Sequence, residues 1–148
     1  MSTLNYLLLM LCLCPFIVYG QNENCCLGRE CVKKNADIVM KVIPPACSLS
    51  SDYIEIETFN HTDFRLNCGA FYRFQQFVSG TWKNIEWGNM PWEASIYYIY
   101  PHKSRRFKCY LYKEKHDYTP GRYRILKTFT IEKEIYQDYE VAAEFTLE

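Results

Sequence analysis

In Asp117-Tyr118-Thr119-Pro120-Gly121-Arg122-Tyr123-Arg124-Ile125 a turn runs directly into a strand. Pro followed by Gly suits the two central positions of a type II turn, because Pro presets φ and Gly accepts the positive φ that comes next. Tyr123 stands two residues after the Gly, where the strand begins. That is the layout of a tyrosine corner, in which the phenol turns back to bond upstream backbone. The plainer reading is a hairpin with a surface tyrosine. A further strand follows where a corner needs one, so Pro120, Gly121 and Tyr123 are taken as the corner residues.

Outward from this point the chain keeps a period of two. Arg122 to Ile131 sets Tyr123, Ile125, Phe129 and Ile131 on one face, and Tyr139, Val141, Ala143, Phe145 and Leu147 alternate with Glu140, Ala142, Glu144, Thr146 and Glu148. Towards the N-terminus, Arg106 to Tyr112 places Phe107, Cys109 and Leu111 inward and Arg106, Lys108 and Tyr110 outward. Ala94 to Tyr100 is β-rich and is closed by Pro101. Ser79-Gly80 reads as a tight hairpin between an apolar run over Phe64 to Phe77 and a return strand over Trp82 to Trp87. Tyr53 to Phe59 alternates Ile54, Ile56 and Thr58 with glutamates, and Ile38, Met40 and Val42 alternate up to Pro44-Pro45, which ends a strand. No stretch sustains a helical period. The pattern predicts an all-β antiparallel sandwich of about seven to nine strands and excludes parallel βαβ architecture.

The ends fix the compartment. Leu7 to Val18 is an apolar run too short to span a bilayer, and it gives way to Tyr19-Gly20 and then to polar Gln21 to Asn24. Residues 1–20 therefore read as a cleaved signal peptide, although no Lys or Arg precedes the run. Acylation at Cys12 or Cys14 is set aside, since both lie inside the apolar run after large residues. Residues 21–35 form a polar, Cys-rich strap, and residues 36–148 form one domain. The remaining cysteines, Cys25, Cys26, Cys31, Cys47, Cys68 and Cys109, are even in number, which in an exported chain reads as disulfides tying down the strap. Their pairing is open. Cys68 and Cys109 stand in strands and suggest an added bridge between strands.

Charge narrows the partners. With 17 basic and 17 acidic side chains the protein is formally neutral, which offers no general attraction for nucleic acid. Metal binding is disfavoured because the cysteines lack paired C-x2-C spacing and a nearby His.

The span from about Ala36 to Glu148 resembles the bacterial immunoglobulin-like domain family of small exported proteins and lipoproteins. The similarity is carried by Phe59-Asn60-His61-Thr62-Asp63, by Gly69 to Gln75, by Gly80-Thr81-Trp82, by Pro120 to Ile125 and by Tyr139 to Phe145. It implies an immunoglobulin-like sandwich with no enzyme chemistry attached. The strand cysteines Cys68 and Cys109 depart from what the resemblance leads one to expect. In antibody domains a Cys would follow two residues after the corner tyrosine, and here that place is Ile125.

No catalytic set emerges. His61, His102 and His116 fall in turns beside polar residues, no nucleophile elbow, zinc-protease helix or phosphate loop occurs, and no cofactor is expected. Binding is a different matter, because 13 Tyr, 9 Phe and 3 Trp are too many for one sandwich core to hide. Tyr98, Tyr100, Arg106, Tyr110 and Tyr112 make a candidate binding face, since Tyr and Arg dominate interface hot spots. The same residues also suit packing under the strap. The expected role is a secreted or periplasmic (cell-envelope) non-catalytic binding or structural module, with an extracellular or envelope protein as partner. Alternatives are a secreted enzyme inhibitor offering a loop near Gly88 to Trp92, and a glycan-binding module. Asn60-His61-Thr62 is an acceptor sequence for N-glycosylation where a host has that machinery.

Overall fold

Alternation of buried and exposed side chains turns the chain into ten strands, described in a computed structural model over residues 37–148. They are β1 (Ile38–Val42), β2 (Ala46–Cys47), β3 (Tyr53–Asn60), β4 (Leu66–Gly69), β5 (Arg73–Val78), β6 (Thr81–Asn84), β7 (Ile96–Ile99), β8 (Ser104–Tyr110), β9 (Gly121–Ile131) and β10 (Gln137–Leu147). The count exceeds the expected range because a two-residue strand, β2, follows Pro44-Pro45 and because the run from Phe64 to Phe77 is two strands. The described residues belong to the second of two units, which divide between Cys31 and Val32. None of them forms a helix long and apolar enough to cross a membrane.

The smaller sheet has the order β1-β3-β8, and the larger runs β2-β10-β9-β4-β7, with β5 also on β9 and β6 on β5. All pairs are antiparallel except β2 with β10. The inner rows of both sheets meet in one core: Ile38, Met40, Ile54 and Ile56 from the smaller sheet, and Leu66, Phe74, Tyr123, Ile125, Phe129 and Phe145 from the larger. Each such fully buried side chain contributes roughly 1.5–3 kcal/mol by leaving water. Phe74 and Tyr123 both pack on Phe145, with ring centroids 5.7 and 5.8 Å away.

Larger departures come where the sequence is locally ambiguous. Pro120-Gly121 does not make a type II turn: Gly121 has φ of 156° and is already the first residue of β9, paired with Leu147. The bend is held instead by Tyr123, whose Oη donates to the Thr119 carbonyl (2.7 Å) and accepts from the Thr119 N–H (3.1 Å). Ser79 and Gly80 both have positive φ, as a two-residue hairpin between β5 and β6 requires.

Asn60 is not a surface acceptor. It is 1% exposed, its Nδ2 donates to the carbonyls of Phe64 (2.8 Å) and Ile99 (3.0 Å), and its Oδ1 accepts from the Thr62 N–H and hydroxyl. With both amide hydrogens spent inside the fold, this side chain has no room for a glycan.

Cys47, Cys68 and Cys109, expected as disulfide partners, are free and buried. The added bridge between strands suggested by Cys68 and Cys109 is not formed; each thiol fills a core position, where sulfur packs as a small apolar group. The leader, the strap and Cys25, Cys26 and Cys31 lie outside the described residues.

Tyr123→Phe removes both bonds to Thr119 and nothing else from the core. It is expected to lower stability by about 1–2 kcal/mol, measured as a shifted denaturant midpoint with an unchanged slope.

Candidate functional site

The larger sheet forks, and the fork makes the site. β4 pairs with β9 through Leu66↔Ile131 and Asn67↔Thr130, whereas β5 pairs through Arg73↔Leu126 and Phe74↔Ile125. Uninterrupted, Arg73 would face Arg124, so the chain has gained two residues between the strands. Such an insertion is a bulge, and it lifts Ala70 to Tyr72 off the ladder, while Gly69 stays paired with Ile96 of β7. Beyond the break the sheet diverges, with β7 on β4 and β6 on β5.

The carbonyls stranded by this break are satisfied by Lys127. Its Nζ donates to the carbonyls of Gly69 (2.6 Å) and Phe71 (3.1 Å) and lies 5.2 Å from the Phe107 ring centroid. Lys127 is 3% exposed, and none of the ion pairs among the described residues includes it. An ammonium is therefore held in the core by neutral acceptors alone, which is costly for a charge. Sequence reading passed over this residue, although it sits in phase with Tyr123, Ile125, Phe129 and Ile131.

Above it opens a recess of about 390 Å³. Lys127 and Cys109 are its most buried members, Tyr72, Trp92, Tyr97 and Phe107 supply aromatic walls, and Arg105, Arg106 and Lys108 border it from β8. Among the described residues Glu93 is the one carboxylate that lines it. Trp92 is fixed by edge-on packing to Tyr72 (4.9 Å) and Tyr112 (6.3 Å), and Arg105 lies over Tyr97 at 4.9 Å. The segment around Gly88 to Trp92 is anchored to the core by Trp87 and Trp92, while Gly88, Asn89 and Pro91 stay exposed.

β8 is an edge strand of the smaller sheet. The Asn60 N–H bonds the Lys103 carbonyl and the Leu111 N–H bonds the Asp52 carbonyl, both at 2.9 Å. In that register Arg105, Phe107 and Cys109 turn their backbone groups towards β3, and Arg106 and Lys108 turn theirs outward. The Tyr110 carbonyl accepts from the Tyr72 hydroxyl (3.0 Å).

The five residues of the sequence-derived face are divided. Arg106, Tyr110 and Tyr112 border the recess. On the outer side Tyr110 packs against Tyr53 at 5.8 Å, while Arg106 lies 3.6–3.7 Å from Glu57 and Glu55. Tyr98 lies elsewhere, on the outer side of the larger sheet under the Arg65 guanidinium (4.5 Å), and Tyr100 is exposed at the β7–β8 turn. Among the described residues no histidine lines the recess. His102 pairs with Asp63 at 3.0 Å, both well exposed, and His61 stacks on Phe59.

Burial sets the ionisation here. It pushes the Cys109 thiol from an ordinary 9.0 up to about 12, against the pull of Lys127, and raises Cys68 in the same direction. Burial also raises the Tyr72 and Tyr118 phenols and lowers the Lys127 ammonium. A thiol that stays protonated when folded contributes stability that is intact below pH 9.0 and is lost as pH climbs towards 12. Lys127 acts in the opposite sense, since the folded form releases its proton first and gains as pH rises. The buried acids outnumber it. The melting temperature of the reduced protein is expected to fall as pH rises from about 8 to about 10.5. Cys109→Ala should flatten that fall, and an equally steep profile in the variant would contradict the assignment.

Comparison with known proteins places the fold. No curated protein matches the chain. Among solved structures it is similar to the Pseudomonas fluorescens alkylpurine DNA glycosylase bound to DNA containing an abasic site analog, at 12% identity and a TM-score of 0.38, covering 77% of this chain and 31% of that one. It is also similar to a protein from Archaeoglobus fulgidus, at 13% identity and a TM-score of 0.32, covering 75% of this chain and 95% of the other. Neither likeness bears on function. The profile of the bacterial Ig-like domain matches residues 34–146, well over half of the sequence, and the chain belongs to that family.

Proposed function

We propose that the protein is an exported, non-catalytic binding module that holds an extracellular or cell-envelope protein against the β8 edge. The observation that carries this reading is the meeting of an aromatic-walled recess with an edge strand, where the recess is lined by Arg105, Arg106, Lys108 and Lys127 and, among the described residues, by the carboxylate of Glu93 alone. Aromatic rings supply large contact area at low entropy cost, and arginine adds directional bonds; together they form the usual centre of an interface. Export rests on the leader-like residues 1–20 and on the family. A non-catalytic role is supported by the family and by the Cys109 thiol of the recess, which is held protonated.

The test is affinity capture with the oxidised protein from envelope and culture-medium fractions of its source. Tyr110→Ala and Arg106→Ala are each expected to weaken capture by about tenfold or more. Ile135→Ala, at the exposed β9–β10 tip, should leave it unchanged. Retention of the same partner by both β8 variants would remove this face from the interaction, and capture of glycan alone would replace the protein partner.

A further inference from the structure

Lys127 is more than a plug for the bulge. Capping two carbonyls needs donors, not charge, and a neutral donor would meet that need at less cost. An ammonium has three N–H groups, of which two are directed at Gly69 and Phe71. None of the ion pairs among the described residues gives this charge a carboxylate, and it stands at the base of a recess bordered by Arg105, Arg106 and Lys108. The site is therefore built for a negative group that arrives from outside.

The edge beside it indicates what carries that group. Among the described residues no strand pairs with the outward side of β8, where the backbone groups of Arg106 and Lys108 present the donor and acceptor spacing of an unfinished ladder. A polypeptide strand completes such a ladder, which a sugar chain does not. An added strand lies about 4.8 Å from β8, and every second side chain on it points inward. Inward from β8 stands Phe107, with its ring centroid 5.2 Å from the Lys127 Nζ.

We infer that the recess receives the carboxylate of a glutamate or aspartate carried on an extended segment of the partner protein, which pairs with the open edge of β8 and sets its acid against Lys127. The assignment rests on the β8 face proposed above and adds the chemistry of what it binds. Main-chain bonds to Arg106 and Lys108 give the segment its direction, the walls formed by Trp92, Tyr97 and Phe107 exclude water, and Lys127 distinguishes an acid from its amide.

The experiment titrates the uniformly 13C,15N-labelled protein with the blocked hexapeptide acetyl-Thr-Val-Glu-Thr-Val-Thr-amide, with its Gln counterpart, with sodium glucuronate and with inorganic phosphate. The Glu peptide is expected to move the Lys127 side-chain resonances together with the backbone amides of Arg106 and Lys108. Its half-saturation should fall about tenfold below that of the Gln peptide, as a charge-assisted bond in a recess implies. In Lys127→Met the preference for Glu should shrink to within about twofold, and the wild-type titration stands even if that variant folds poorly. Three results would overturn the inference: a Glu peptide that leaves Lys127 unmoved, a Gln peptide that binds equally well, or glucuronate or phosphate matching the Glu peptide at both Lys127 and the β8 amides. If the peptides fail while Tyr110→Ala and Arg106→Ala still abolish capture, the acidic-strand assignment falls and the β8 face remains.

Discussion

The buried ammonium of Lys127 is what allows the larger sheet to fork. A strand that leaves its ladder strands carbonyl oxygens in a place water does not reach, and each such oxygen left bare costs about 1–3 kcal/mol. Gly69 and Phe71 would be in that position without the Lys127 Nζ. Because the break is tolerated, β4 with β7 and β5 with β6 can part, and the recess is lined by Ala70 and Tyr72 of the released segment, by Tyr97 of β7 and by β8. The aromatic residues then close around the opening: Tyr72 and Trp92 come from the displaced segment and the loop that follows, and Tyr112 from the far end of β8.

The same charge shapes its neighbours. Cys68 and Cys109 come from opposite sheets, and both feel Lys127. Burial still dominates, so the thiols stay protonated and pack as apolar groups instead of acting as nucleophiles. Among the described residues the recess is lined by a protonated thiol, four cations and the carboxylate of Glu93. It has what recognition needs, namely a charge that water screens poorly and walls that hold a fixed shape.

Much of the sandwich was legible in the sequence because its strands are half-buried and their alternation is strict. Ile54, Ile56, Phe129 and Phe145 all lie on the side that the period assigns. The bulge was not legible, because Phe64 to Phe77 carries apolar residues on both faces and an insertion leaves no mark in such a run. Lys127 was in phase with the core row and was passed over for its charge, which is the cue that should have singled it out. Tyr98 and Tyr100 were grouped with Tyr110 as neighbours in sequence. The turn at Pro101-His102 crosses from one sheet to the other, so strands adjacent in the chain look in different directions. Crossing of that kind depends on how two sheets stack, and a single strand's pattern does not encode it.

This separation between what is regular and what is local bears on how the fold serves function. The alternating rows, the Tyr123 bond to Thr119 and the Asn60 network secure the ends and the core, and they would do so for any ligand or for none. The site depends instead on two extra residues between β4 and β5 and on one lysine placed beneath them. Removing the insertion would restore a continuous strand across the fork, close the recess and leave Lys127 with neither its carbonyls nor an opening. A sandwich without that bulge would keep its family and lose this site, so membership of the family fixes the scaffold while the break in one strand decides what it can hold.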